Sequence, residues 1–359
     1  MTGSRVHLAI GLMSGTSMDG IDAAMLRTDG DNLAVPLRSR TVPYPPAFRR
    51  RLDALVRDGG QDAAECAAVE RKLTELHARA VRELLGDTGA RPAAIGFHGH
   101  TLLHRPEEGR SWQLGDGRLL ARLLNCPVVW DFRSADLAAG GQGAPLAPVY
   151  HACLAGRLEK PVAIVNIGGV SNLTWIGEGE ELLAFDVGPG NAPIDDWALR
   201  HTGRPIDEDG RLATGGEADA ARIAAALAHP FFDRPPPKSL DRLDFSAEIA
   251  NGLAPEDGAA TLTAFAAAAV ARATVWLPAP PGRWLVTGGG RRNPVLMAML
   301  AEKLEGRVEP IEAIGADGDA LEAQCFAYLA VRVLRGLPTS FPGTTGVPHP
   351  VCGGRIARP

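Results

Sequence analysis

The sequence predicts an α/β protein of two similarly folded halves, and two stretches carry that prediction. Gly11-Leu-Met-Ser-Gly-Thr-Ser-Met-Asp-Gly-Ile-Asp22 lies between the apolar runs Val6–Ile10 and Ala23–Leu26. Apolar run, Gly/Ser/Thr turn and apolar run read as a β-hairpin. Asn166-Ile-Gly-Gly-Val-Ser-Asn-Leu-Thr-Trp175 follows Pro161–Val165 and repeats that order. The echo implies two halves facing each other across a cleft, with a boundary near residue 160.

The first hairpin has two readings. Glycine lets backbone approach a phosphate closely while Ser14, Thr16 and Ser17 add donors; the alternative is an ordinary turn, since turns favour these residues anyway. The stretch is not a Walker loop, because no Lys lies between Gly11 and Arg27. No GxGxxG opens a helix after a strand, so a dinucleotide site of the Rossmann kind has no fingerprint either.

At 359 residues the chain has length for about two domains. Its 45% hydrophobic and 22% charged residues fit a globular protein, and a net charge of −5 offers no basic footprint for nucleic acid. No 18-residue apolar run is evident, the Ala-rich stretch after Leu262 being broken by Arg272, so no membrane partner is expected. Five scattered cysteines without a CxxC suit a reducing, cytoplasmic compartment.

Val69, Leu73, Leu76, Ala80 and Leu84 recur at helical spacing and predict an amphipathic helix over 61–86. The strand at 93–97 ends in His98-Gly-His-Thr101, with His104 nearby. This HxHxxxH pattern admits a metal, but no neighbouring carboxylate completes a ligand set. A polar strand end touching substrate, or plain structure, explains it as well. Asp131-Phe-Arg-Ser-Ala-Asp136 then runs into Gly140-Gly-Gln-Gly143, either an Asp–Arg pair fixing a loop or a segment gripping substrate.

In the second half, Leu182–Phe185 forms a strand that runs into Asp186-Val-Gly-Pro-Gly-Asn191, where an Asp is badly placed for packing and well placed for a cleft. Asp195 and Asp196 suit the first turn of a following helix. Residues 201–256, with Arg234-Pro-Pro-Pro-Lys-Ser239, read as an irregular loop over a surface. Helical composition resumes at 257–277. Trp284–Thr287 is a strand leading through Gly288, Gly289 and Gly290 to a helix, a turn that could back an adenine or simply be tight. A last helix starts near Asp319 with Glu322 in its first turn, where the helix dipole alone would favour a carboxylate.

Taken together, these features resemble the sugar kinase/actin/Hsp70 superfamily. More narrowly, the first hairpin, His98-Gly-His-Thr101, Gln113-Leu-Gly-Asp-Gly117, Asp131-Phe-Arg133, Gly140–Leu146, Asn166-Ile-Gly-Gly169 and Phe185–Asn191 resemble the anhydro-N-acetylmuramic acid kinase family over residues 7 to 340. The resemblance implies two ribonuclease H-like (actin-like ATPase) domains facing each other across an active-site cleft. They would span 1–160 and 161–340, with 341–359 as a return segment.

It also implies an ATP- and Mg²⁺-dependent enzyme of cell-wall recycling, which opens 1,6-anhydro-N-acetylmuramic acid with water and leaves phosphate on O6. Asp186 matches the catalytic residue. Gly11, Leu12, Met13, Ser14, Gly15, Thr16, Ser17 and Met18 match the first phosphate loop, and Asn166, Gly168 and Gly169 the second. Gly288, Gly289 and Gly290 match the adenosine contact. Candidate sugar contacts are His98, Thr101, Arg133, Asp136 and Glu322; Asp19 and Asp22 are candidate Mg²⁺ ligands through water, or braces of the hairpin. The expected partner is a small-molecule sugar, with a homodimer left open. His100, where the family more often has Gln, and Arg291-Arg292 after the triple glycine depart from its pattern. Three alternatives remain: a kinase of another sugar on this fold, a glycosidase using Asp186 with Glu322 or Asp136, and a non-catalytic nucleotide switch.

Overall fold

The computed structural model describes residues 5–15, 18–179 and 181–359. It divides into two units, one of Met1–Gly156 with Ala320–Pro359 and one of Arg157–Asp319.

The first unit is built on β1 (His7–Ser14), β2 (Gly20–Thr28), β3 (Ala34–Pro43), β4 (Ala94–Arg105), β5 (Arg110–Leu114) and β6 (Val128–Trp130). β1 and β2 form the expected antiparallel hairpin, with His7 opposite Thr28 and Met13 opposite Asp22. β3 pairs with β2 antiparallel, β4 with β1 parallel and β6 with β4 parallel. The order is therefore β3-β2-β1-β4-β6, with β5 folded back on β4 and the tail strand Arg355–Ala357 added antiparallel to β6. The return segment thus completes the sheet of the first unit.

Alternation along the strands sends Ile10, Leu12, Ile95 and Phe97 into a core against the helix Ala63–Leu85. That helix bears the predicted stripe, and Asp62 caps it by accepting from Ala64 N and Glu65 N. Gly11 and Gly96 are cross-strand partners on the opposite face. There the helix Leu321–Leu334 lies backbone against strand. A Cβ on Gly11 would stand 1.8 Å from Ala323 O, and one on Gly96 would stand 2.0 Å from Phe326 O. Residues 320–340, expected in the second domain, therefore belong with the first, because these two glycines make the seat for that helix.

The second unit repeats the plan. β7 (Val162–Ile167), β8 (Val170–Ile176) and β9 (Leu182–Pro189) form an antiparallel meander, while β10 (Arg283–Thr287) and β11 (Arg307–Pro310) continue from β7 in parallel. The order is β9-β8-β7-β10-β11. The helix Pro255–Ala273 packs Ala266, Ala267 and Val270 against Leu173, Phe185 and Val187. With its continuation to Trp276 it is long and apolar enough to cross a membrane, contrary to the reading from sequence, and it serves as the central core helix of this unit.

Residues 201–256 are also more than a surface loop. They include the helices Arg211–Thr214 and Ala220–Leu227, and they bury Phe231, Phe232 and Phe245 around Phe265. The proline run hides that aromatic cluster from a reading by composition.

Candidate active site

In the first unit, Met18 N donates to Gly15 O (3.1 Å) at the hairpin tip, and Met18 adopts φ 52°. Thr16 and Ser17 lie outside the described residues. Gly11 and Leu12 sit inside the sheet rather than at its tip. Gly11 is a packing glycine, and the side chain of Leu12 is fully buried in the core. Met13 is half-buried, and Ser14 is buried at the base of the turn. The Tyr44 hydroxyl donates to Ser14 Oγ (2.7 Å), and His100 Nδ1 lies 3.0 Å from the same oxygen. Burial keeps His100 neutral, its pKa pushed down to about 4.

The three histidines of the HxHxxxH pattern go to separate partners, Ser14 for His100, Arg133 for His98 and Ser111 for His104. Among the described residues no group of three or more His, Cys, Asp or Glu side chains is placed to hold a metal.

All five candidate sugar contacts belong to this unit. His98 Nδ1–H donates to Gly99 O (3.0 Å), which leaves Nε2 to accept from Arg133 Nη2 (2.8 Å). Arg133 Nη1 donates to Gly143 O (2.7 Å), and its Nε has no partner among the described residues. Burial draws the guanidinium pKa down to about 10, opposed by the carboxylates of Glu322 and Asp136. Thr101 is half-buried, with Gln113 Nε2 3.4 Å from its hydroxyl. Glu322 is exposed on the first turn of its helix.

Asp136 differs from the expectation. It is fully buried, Oδ1 accepting from Gly143 N (2.6 Å) and Oδ2 from Thr345 Oγ1 (2.6 Å). Asp136 and Arg133 together brace the Gly140–Gly143 turn, so Asp136 has no open surface to offer a sugar. Its position before a glycine-rich turn looks the same in sequence for either role.

A cavity of about 210 Å³ opens beside these residues, lined by Glu70, His98, Trp112, Gln113, Trp130 and Asp131 among others. Indole faces with carboxylate and amide groups between them suit a ring that is apolar on its faces and polar at its edge. Gln113, which links this cavity to Thr101, carried no individual signal in the sequence; only the run Gln113–Gly117 stood out.

In the second unit, three sequence-predicted pieces meet around Asn191. Asn191 N donates to Gly168 O (2.7 Å), Gly190 N to Gly169 O (2.9 Å) and Asn191 Nδ2 to Ile167 O (3.0 Å). A Cβ on Gly288 would stand 2.5 Å from Asn166 Oδ1, and one on Gly289 would stand 3.3 Å from Asn191 Nδ2. The hairpin of Asn166, Gly168 and Gly169, the end of β9 and the Gly288–Gly290 turn thus form one cluster.

Its glycines differ in kind. Gly288 (φ 73°) and Gly290 are required by close packing, whereas a Cβ on Gly168 or Gly169 would meet nothing nearer than 3.6 Å. Neither packing against the described residues nor a left-handed φ requires glycine at 168 and 169, so the backbone there is open on that side. Arg291 secures the turn by donating to Gly288 O (2.9 Å) and to the carboxylates of Glu312 and Asp319.

Asp186 lies inside β9, three residues before the strand ends at Pro189 and the chain turns toward this cluster. Its carboxyl is crowded by protein, and burial raises its pKa from 3.8 to about 7, partly offset by the Leu240 N–H, which donates to Oδ2 (2.8 Å). A carboxylate poised near neutrality is what a general base requires.

Two sheets of the same order once β5 is set aside, β3-β2-β1-β4-β6 and β9-β8-β7-β10-β11, each opening on a hairpin that carries Gly and Ser, define a protein of the sugar kinase/actin/Hsp70 superfamily. A family model described as anhydro-N-acetylmuramic acid kinase matches residues 7–358. The anhydro-N-acetylmuramic acid kinase of Rhodospirillum rubrum is 57% identical over 96% of this chain and 93% of its own length. That of Paramagnetospirillum magneticum is 56% identical over 97% and 99%. The chain belongs to the anhydro-N-acetylmuramic acid kinase family. Among solved structures, the (R)-2-hydroxyglutaryl-CoA dehydratase component A of Acidaminococcus fermentans is similar over 91% of this chain and 98% of its own, at 12% identity and a TM-score of 0.48. That likeness is too slight to bear on function.

Proposed function

We propose that this enzyme uses ATP and water to convert 1,6-anhydro-N-acetylmuramic acid to N-acetylmuramic acid 6-phosphate, in the cytoplasm, as a step of cell-wall recycling. The observation that carries the reading is Asp186, a carboxyl inside β9 opposite Asn172 of β8, the strand that leaves the Gly168–Gly169 hairpin, where burial pushes its pKa up to about 7. Asp186 takes a proton from water as that water attacks the anomeric carbon. The bond from that carbon to the bridging oxygen breaks, and the oxygen, now O6, takes up the electron pair and attacks the γ-phosphorus. ADP leaves. ATP thereby captures the departing oxygen, which a glycosidase would protonate with an acid.

Phosphoryl transfer needs donors around the phosphates more than covalent help from the protein. The backbone at Gly15, Gly168 and Gly169 supplies them, and the Gly288–Gly290 turn backs the adenosine. His98, Thr101, Arg133 and Glu322 face the sugar, while Asp136 holds Arg133's turn in shape. Magnesium takes most of its ligands from phosphate and water, so one or two carboxylates suffice. Asp19, exposed at the hairpin tip, and Asp22, accepting from Thr41 Oγ1 (2.6 Å), are hard oxygen donors of that kind. When bound there, Mg²⁺ would neutralise charge on the phosphates.

A panel of amino sugars and anhydro sugars incubated with ATP, followed by ADP release, tests the reading. Turnover is expected with 1,6-anhydro-N-acetylmuramic acid and to fall at least about 10²-fold with N-acetylglucosamine or glucose, which have no bridge to open. Equal turnover of an unbridged sugar would mean a kinase of another substrate.

A further inference from the structure

Asp186 is gripped from outside its own sheet by two residues. Asp186 N donates to Lys238 O (3.0 Å), and Leu240 N donates to Asp186 Oδ2 (2.8 Å). Asp186 Oδ1 has no partner among the described residues. The strap Lys238–Leu240 ends the run Arg234-Pro-Pro-Pro-Lys-Ser239, which has neither helix nor strand to stiffen it. Proline-rich chain makes no internal hydrogen bonds, so something else must fix its position.

The Lys238 side chain does so. The residue is 5% exposed, and Nζ donates to Phe231 O (3.1 Å) and Phe232 O (3.5 Å). Nζ stands 4.5 Å from the ring centre of Phe231, 5.5 Å from Trp276 and 5.7 Å from Phe185, the residue before Asp186. Carbonyls and ring faces are the partners an ammonium prefers when no carboxylate is at hand. Lys238 forms no ion pair among the described residues, and Asp233, which acts on it, is paired with Arg272 (2.7 Å).

We propose that the caged Lys238 ammonium is the positioning device for the base: it pins the strap so that Leu240 N–H holds Asp186 Oδ2 and leaves Oδ1 to take the proton from water. This rests on Asp186 being the base. Burying an ammonium is costly unless its contacts serve something, and the service here is a fixed orientation for one carboxylate. Burial, Arg234 and Arg272 draw the Lys238 pKa down to about 8 against Asp233, so the cage holds a cation at neutral pH. The influences on Asp186 are burial and the Leu240 N–H.

The test is the pH profile of kcat for Lys238→Met and Leu240→Pro, with Asp186→Asn as reference. Lys238→Met keeps the stem in the cage and removes the ammonium, while Leu240→Pro keeps the ammonium and removes the N–H; Leu240→Ala, which keeps the N–H and trims the same side chain from the aromatic cluster, is its control. Lys238→Met and Leu240→Pro are each expected to lower kcat about tenfold or more and to raise the acid limb by about one pH unit, since a donor to the ionised form is lost. ATP affinity should stay within about twofold. Should Lys238→Met fail to fold, Lys238→Gln, neutral and of similar length, takes its place with the same expected outcome. A folded variant with the wild-type acid limb and kcat overturns the strap. If Asp186→Asn is inactive while both strap variants match wild type, only the positioning role fails; if Asp186→Asn itself stays active, the base assignment fails with it.

Discussion

Replacing Asp186 by Asn is expected to lower kcat by about 10²–10⁴-fold while leaving ATP affinity within about twofold of wild type. The amide keeps the shape of the carboxylate and cannot take a proton from water. The carboxyl titrates near 7, so wild-type kcat should fall as pH drops below that value. Stability should move the other way. A carboxyl whose folded pKa lies above its unfolded value contributes stability that is present below the unfolded pKa and lost as pH rises through the folded one. The variant carries no such charge. Its melting temperature should therefore gain on wild type between pH 4 and 8, by the equivalent of about 2–4 kcal/mol. A variant within a few-fold of wild-type kcat would remove Asp186 from the chemistry. Other acids of the glycine-rich segment are engaged: Asp131 accepts from Ser134 Oγ (2.5 Å) and pairs with Arg355 (3.0 Å), and Asp136 is buried with both oxygens bonded.

Gly11→Ala should destabilise the first unit by about 3 kcal/mol or more, at or beyond the usual range for overpacking. The added Cβ would stand 1.8 Å from Ala323 O and 2.4 Å from Ala327 N, both backbone atoms of the helix Leu321–Leu334. No side chain can rotate away to relieve this, so the helix must lift from β1. A fall in Tm of roughly 6–12 °C follows for a unit of this size. Gly169→Ala is the contrasting case. Its Cβ would meet only Ala192 Cβ, at 3.6 Å, so Tm should hold while the KM for ATP rises about tenfold or more. Equal Tm for Gly11→Ala and wild type would contradict the packing account. An unchanged KM for Gly169→Ala would take that glycine out of the phosphate site.

These two glycines also mark the limit of what the sequence discloses. Both hairpins were legible, because an apolar run broken by Gly and Ser has few other solutions. The helix Ala63–Leu85 was legible from its stripe. What each glycine does was not, since Gly11 serves a helix more than three hundred residues away and Gly169 serves an open surface, yet both read as turn residues. The same ignorance of long-range partners misplaced the helix Leu321–Leu334, whose apolar face fits either sheet in composition. It also hid Lys238, since a lysine after three prolines reads as solvated until Phe231, Trp276 and Phe185 are seen around it. Asp186 stood out for the opposite reason, as a carboxylate before Gly-Pro-Gly with little local structure to serve, although the strand expected to end at Phe185 runs on through it to Pro189.

The most direct test of the account is the fate of solvent oxygen. Product formed from 1,6-anhydro-N-acetylmuramic acid and ATP in ¹⁸O-water should be sampled early by NMR and mass spectrometry, before mutarotation washes the label from C1. The account predicts one heavy oxygen at C1, none in the phosphate, and a single anomer of inverted configuration, because the base directs water to the face away from the departing O6. Heavy oxygen in the phosphate, or an unlabelled sugar at the earliest times, would contradict it.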